Sequence, residues 1–508
     1  MTAFSETIAK AYAVDMAAVD LGRGVHEETL EPDAVVRLPL ATMNRHGLIA
    51  GATGTGKTRT LQLLAEQLSD AGVSVFAADY KGDLSGLQDP GAADGPAAKR
   101  MTELGLPYEP TAYPVEFLAI GGIGAGVPVR ATVTDFGPQL IAKILRANET
   151  QEQSLALVFR FADERGLALI DLADLRALLT YLDSAEGKTD LTGIGGVSGQ
   201  TIGVLLRALV ELEDGGGTEF FGEPLFEISD LLRVAPDGRG VISALELSAI
   251  QDKPALFSTV LMWLLAELFE QLPEVGGLEK PKLVFFFDEA HLLFSDATKS
   301  FLESVTRTVR MIRSKGVGVF FVTQSPTDVP SEVLGQLGAR IQHALRAFTP
   351  NDADALKKTV RTYPTSEFYD LEQLLTQLGT GEAAVTILSE RGVPTPVVHT
   401  RLRAPRSSMT TSPGIDAAAK SSPLYAKYGT RLEKESAAEQ LAKRVEQAPE
   451  PAATSKPTAD AGGEAPKPHA RKAKEPTNAL TDFLGSRQGK TLQREVVRGA
   501  FSLLRKKL

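Results

Sequence analysis

A chain of 508 residues, 43% hydrophobic and 23% charged, has the length for more than one domain and the balance of a soluble globular protein. It contains no cysteine, which excludes disulfides and thiolate metal sites, and its six scattered histidines form no zinc-binding pair. A net charge of −10 argues against a protein that coats nucleic acid with its whole surface, but leaves room for a basic channel on one face.

Residues 1–46 read as a short helix followed by an extended N-terminal segment around Val35 to Leu40, with no specific chemistry. The first residues carry neither the basic nor the apolar region of a signal peptide. The most apolar run, 256–269, is too short for a membrane span and contains Ser258, Thr259 and Glu267. A buried helix and a cytoplasmic protein are the expectations.

At 47–84 the pattern becomes strand, glycine-rich loop, helix, strand. Gly51-Ala52-Thr53-Gly54-Thr55-Gly56-Lys57-Thr58 fits Gly-x-x-x-x-Gly-Lys-[Ser/Thr]. It follows the apolar Gly47-Leu48-Ile49-Ala50 and precedes a helical stripe at Leu61, Leu64, Ala65 and Leu68. Glycines let successive N–H groups turn toward phosphate, and the helix N-terminus adds partial positive charge. Residues 51–59, Arg59 included, are then expected to bind a nucleoside triphosphate, with Lys57 on its β- and γ-phosphates and Thr58 on Mg²⁺. The next strand, near 73–78, ends in Asp79-Tyr80-Lys81-Gly82-Asp83. Asp79 there is equally well a ligand or a turn cap, and Asp83 reads as a cap.

Residues 85–235 interrupt the alternation. A proline-rich loop and two extended pieces, near 112–120 and 127–134, lead into apolar-striped helices, a mainly helical insertion. Strand–helix alternation resumes over 236–403, so 47–84 and 236–403 together form the expected core. Within it, Phe285-Phe286-Phe287 runs into Asp288-Glu289. A buried strand ending in two carboxylates calls for a cation, so Asp288 is assigned to Mg²⁺ and Glu289 to polarising the attacking water. Gln324 ends the next strand, expected between the loop strand and the Asp288 strand, where it faces the γ-phosphate. Arg307, Arg310 and Arg313 recur every third residue, and of the arginines here Arg310, Arg313, Arg340 and Arg346 are candidates for a guanidinium in phosphoryl transfer, often supplied by a neighbouring subunit. Spacing does not choose among them.

Beyond 403 prolines recur among Ala, Ser, Lys and Glu, so 404–486 reads as a linker with one helix at 427–446. Residues 487–508 read as a basic amphipathic helix.

The chain resembles the HerA/FtsK branch of P-loop motor ATPases, and in particular bacterial HerA-like helicases of the YjgR type. The resemblance is carried by the loop at 51–58, by 79–84 and by Phe285 to Phe294. It continues through 312–326, which ends Val322-Thr323-Gln324-Ser325-Pro326, and through 337–350. It spans about residues 20–400 and the final basic helix. It implies an α/β, RecA-like core with a mostly parallel sheet, assembled as a homo-oligomeric ring, commonly a hexamer, with sites between subunits. Carried over by position, Lys57 and Thr58 bind phosphate and Mg²⁺, Asp288 supports the metal, Glu289 is the base and Gln324 the sensor; Arg313 and Arg340 stay candidates from their positions alone. It also implies ATP-driven unwinding or pumping of DNA. The competing expectation is an ATPase that remodels a protein partner or acts as a nucleotide-dependent scaffold, because no aromatic-interleaved basic patch is evident in the core.

Overall fold

The computed structural model describes residues 2–191, 195–294, 299–389 and 391–447. The expected linker beyond 448 and the basic helix at 487–508 lie outside the described residues. In chain order the strands are β1 (Ala18–His26), β2 (Thr29–Pro39), β3 (Gly47–Ala50), β4 (Ser74–Asp79), β5 (Val115–Ile120) and β6 (Val127–Val129). They continue as β7 (Ile242–Glu246), β8 (Leu283–Phe287), β9 (Val317–Thr323), β10 (Ala339–Gln342), β11 (Glu382–Ile387) and β12 (Val398–Leu402). All belong to one 12-stranded sheet, ordered β2-β1-β12-β11-β10-β3-β9-β8-β4-β7-β5-β6. From β10 to β6 in that order every pairing is parallel, whereas β11, β12, β1 and β2 extend the sheet antiparallel. This is the α/β, mostly parallel fold expected from the sequence.

The strands at the centre are apolar on both sides because helices cover both faces. All five residues of β8 are buried. Phe285 and Phe287 enter the core of one face, while Val284 and Phe286 enter that of the other. Stacking ties neighbours together, with Phe76 of β4 4.1 Å from Phe285 and Phe287 5.4 Å from Phe321 of β9. The apolar run at 256–269 is the body of helix Pro254–Gln271, with Trp263 fully buried. No helix among the described residues is long and apolar enough to cross a membrane.

Three intervals differ in detail from the sequence reading. The N-terminal 46 residues hold helix Ala3–Ala11 and the β1–β2 pair, which joins the sheet through β12. Register shifts near Gly22 and Gly24 break the strict alternation that would have revealed these strands. The interval 85–235 contributes β5 and β6 to the sheet besides its helices, among them Val133–Ile144, Glu149–Arg165, Leu172–Asp183 and Gly199–Leu212.

Residues 404–447 carry helices Ile415–Ser421, Pro423–Tyr428 and Ala437–Gln447 and pack on the body as a strap. Pro423 stands at the start of its helix, where a missing N–H costs nothing. Buried Glu66 accepts N–H bonds from Arg406 at 2.7 Å and Ser407 at 2.9 Å. Tyr428 is fully buried, its hydroxyl donating to Asp230 at 2.6 Å and accepting from the Glu227 N–H at 3.0 Å.

Candidate active site

The glycine loop leaves the carboxyl end of β3, between β9 and β10. Backbone bonds hold its first two residues to the neighbours on either side: Gly51 N–H donates to Thr323 O at 3.2 Å and Ala52 N–H to Ala344 O at 2.8 Å. Gly381 N–H braces the middle on Thr55 O at 3.0 Å, and Arg100 donates to the carbonyls of Gly381 and Thr380 behind it. Position 51 must be glycine, because a Cβ there would lie 2.5 Å from the Cβ of His343. Gly56, at φ 113°, turns the chain into helix Lys57–Asp70. The first N–H groups of that helix open toward the loop without partners inside the helix. Gly54 has nothing within 4 Å of where a Cβ would stand, so the loop presents an open side.

Lys57 lies folded on its own loop, Nζ donating to Gly51 O at 2.6 Å and Ala52 O at 3.2 Å. Burial lowers its pKa, while Glu289 and Asp288 raise it and Lys81 opposes them. The carboxylates at the end of β8 and the loop lysine therefore share one field. Thr58, half-buried, begins the same helix, and Thr55 Oγ1 donates to Ala52 O at 2.7 Å within the loop. Arg59 points elsewhere, donating to Gln62 at 2.8 Å and to the carbonyl of Met409 in the strap.

Asp288 and Glu289 are 8% and 5% exposed. Burial, reinforced by Glu289, pushes the Asp288 carboxyl up to about 7, with Lys81 pulling the other way. Glu289 has φ 49°, a left-handed conformation that is costly for a non-glycine residue. Its Oε1 accepts from Lys81 Nζ at 2.6 Å, and its Oε2 is buried without a hydrogen bond, 3.4 Å from His291 Nδ1. Asp79 spends both oxygens on a cap, accepting N–H bonds from Gly82, Asp83 and Leu84 at 2.8, 3.2 and 2.8 Å. Burial raises its carboxyl to about 6.

β9 lies between β3 and β8, so Gln324 follows a strand flanked by the loop and the Asp288-Glu289 pair. It is exposed in a cleft of about 480 Å³, with Ala52, Thr53, His291, Asp328 and Arg346 also on the wall. Asp328 accepts from Thr323 Oγ1 at 2.7 Å and the Ser325 N–H at 2.8 Å, which fixes the turn that carries Gln324. Among the arginines, Arg346 reaches the loop of its own chain, donating to Thr53 O at 3.3 Å. Arg340 pairs in register with Leu48, three residues before the loop, and donates to Thr362 O at 3.0 Å. Arg310 and Arg313 are exposed just before β9 begins, at the opposite end of the parallel strands from the loop, and Arg307 is exposed one turn earlier.

Lys81 and His343 had no role in the sequence reading. Lys81 lies within the quoted 79–84 motif, but its partner is 208 residues away. His343 is fully buried behind the loop, its Nε2 2.9 Å from Thr60 Oγ1, and a lone histidine after a short strand gives no sequence signal.

A glycine loop with a lysine at the head of a helix, facing a strand that ends in two carboxylates, defines a P-loop NTPase fold. The solved structures it is similar to include the bacterial conjugative coupling protein TrwB lacking its first 70 residues, at TM-score 0.52 and 15% identity over 80% of this chain and 95% of that one. TrwB in complex with the non-hydrolysable ATP analogue ADPNP gives TM-score 0.53 and 15% identity, with the same coverage. TrwB with ADP and Mg²⁺ gives 0.51 and 14%, over 79% and 99% of the chains. At such identities the likeness concerns the fold.

The Helicase HerA-like C-terminal family model matches residues 25–506, and the chain belongs to that family. It is 26% identical over 373 residues to a "probable helicase" of Methanocaldococcus jannaschii, covering 67% of this chain and 63% of that protein. It is 24% identical over 358 residues to the DNA double-strand break repair helicase HerA of Sulfolobus acidocaldarius, covering 69% and 64%. The chain thus spans slightly under two thirds of the length of these relatives.

Proposed function

We propose that the chain is an ATP-hydrolysing motor of the HerA-like kind that acts on DNA as a ring of identical subunits. The observation that carries the reading is the shared field of Lys57, Asp288 and Glu289, contributed by two strand ends with the Gln324 turn between them. Residues 51–59 bind the triphosphate through loop N–H groups, and Lys57 leaves its loop carbonyls for the β- and γ-phosphates. Thr58 and Asp288 would hold Mg²⁺, which would supply positive charge at the phosphates. Their donor set fits that ion: a half-buried hydroxyl at the head of the loop helix and a buried carboxylate after β8 offer oxygen alone. Glu289 accepts a proton from the attacking water, its unbonded Oε2 being the available acceptor. Gln324 senses the γ-phosphate across the cleft.

Arg313 and Arg340, removed from their own loop, are assigned to the site of a neighbouring subunit, as is Arg310. Arg346, already on Thr53, belongs to the site of its own chain. Such a division needs an oligomer, and the hexameric ring is taken from the family. DNA as substrate is likewise taken from relatives, one of which is a DNA double-strand break repair helicase.

The test is ATP turnover and binding with long double-stranded DNA over a salt series. A duplex-threading motor is stimulated by DNA, and its DNA affinity falls steeply between 50 and 200 mM salt, by about 10³-fold if six phosphates are neutralised. Turnover that ignores DNA at every salt concentration would move the substrate to a protein partner, or make the assembly a scaffold.

A further inference from the structure

We propose that Lys81 is a positioning residue for hydrolysis, its ammonium locking one arm of the Glu289 carboxylate so that the other arm faces the attacking water. The proposal rests on the reading of Glu289 as the base.

Three observations point the same way. The two oxygens of Glu289 are unlike: Oε1 is taken by Lys81 Nζ at 2.6 Å, and Oε2 is buried without a hydrogen bond. A carboxylate held by both arms would be spent, and one held by neither would rotate. The backbone adds a second restraint, since φ 49° at Glu289 fixes the direction of its Cα–Cβ bond at a cost the surroundings must sustain. The third concerns the platform beneath Lys81. Asp79 pins the turn through the N–H groups of Gly82, Asp83 and Leu84. On the other side Gln251 Nε2 donates to Tyr80 O at 2.7 Å, and Tyr80 OH donates to Gln251 O at 3.2 Å.

An ordinary surface ion pair has two mobile, wet partners. Here the side chain of Lys81 is 42% exposed and that of Glu289 only 6%, so the lysine enters from solvent to hold a group that cannot move away. Lys57 and Asp288 share the same field, yet neither is hydrogen-bonded to Glu289 through its side chain among the described contacts. His291 Nδ1 stands 3.4 Å from Oε2 without a hydrogen bond to it, which leaves Lys81 as the side chain hydrogen-bonded to the carboxylate and setting its rotamer. A base misaimed by about an ångström loses rate, not nucleotide affinity.

The experiment is a double-mutant cycle on ATP hydrolysis with wild type, K81M, E289Q and K81M/E289Q, plus K81R. K81M should lower kcat by on the order of tenfold or more while leaving KM for ATP within about twofold. K81R should recover most of the loss, and K81M should cost nothing further in the E289Q background. An unchanged kcat in K81M would overturn the proposal, and so would a raised one, which would mean that the pair restrains the base. An equal loss in both backgrounds would also overturn it, since it would reveal a structural defect. Wild type that turns over no ATP would defeat the hydrolytic reading itself and the positioning role with it. The pairing is then read separately from thermal unfolding: K81M should lower Tm in the wild-type background but not in E289Q.

Discussion

Behind the glycine loop His343 occupies the space that a side chain at position 51 would need, with its N–H on Ala50 O at 2.7 Å. Burial, with Lys57 adding to it, lowers its pKa from 6.5 to about 4. His46, under the start of β3, is lowered to about 4 for the same first reason and accepts the Val319 N–H at 3.0 Å. A folded pKa below the unfolded one means that stability is fully present above pH 6.5 and is lost as pH falls through 4. The ceiling is roughly 3 kcal/mol for each imidazole. Because Glu66, Asp79 and Asp288, raised by burial, act in the opposite sense over the same range, the readout is a difference: between pH 6.5 and 4 urea unfolding should lose more stability in wild type than in His343→Gln. An equal slope in both proteins would mean that His343 is not held neutral. Glycine 51 and this histidine are one steric unit, and only the glycine half was legible in the sequence.

At the scale of elements, the strap at 404–447 shows what local pattern leaves out. Its prolines and polar residues have the composition of a linker, yet they start helices and satisfy buried groups on distant elements. Glu66 in the loop helix, raised to about 7 by burial, is answered by N–H groups from Arg406 and Ser407, and no periodicity within either segment announces the match. Tyr428 makes the same kind of contact with Asp230 and Glu227. Tyr428→Phe should therefore cost about 1 kcal/mol in urea unfolding, because it removes two hydrogen bonds of a buried hydroxyl, while the half-buried Asp230 keeps Lys427 Nζ at 3.0 Å. A variant as stable as wild type would show that the strap is only loosely applied. By contrast, β3 with its loop and helix could be read directly, because motif, apolar strand and helical stripe are contiguous. β8 could be read because five apolar residues before two carboxylates leave few alternatives. The bulged β1–β2 pair carries too little pattern, whereas β6, three residues with a central proline, could be read only as part of an extended piece. Lys81 shows the same limit at the site, since a contact across 208 residues is a property of sheet order rather than of spacing.

For the whole molecule, the parallel sheet gathers the ends of β3, β9, β8, β4 and β7 along one edge, where open α/β sheets place their ligands. The candidate catalytic groups lie on that edge, whereas Arg313 and Arg340 do not. If those arginines complete a neighbour's site, ATP turnover per chain should rise with protein concentration until rings are saturated, and Arg340→Ala should depress the plateau. Turnover per chain that is flat from dilute to concentrated protein would contradict a shared site. The residues that bind and hydrolyse ATP remain the central claim, and the measurement that tests it most directly is steady-state turnover of Mg·ATP by wild type and Glu289→Gln at a concentration that saturates assembly. A side chain that supplies general base catalysis contributes about 10²–10⁴-fold. The account predicts that Glu289→Gln loses at least about 100-fold in kcat while binding a non-hydrolysable ATP analogue as wild type does. A Glu289→Gln protein that hydrolyses ATP at the wild-type rate would contradict it.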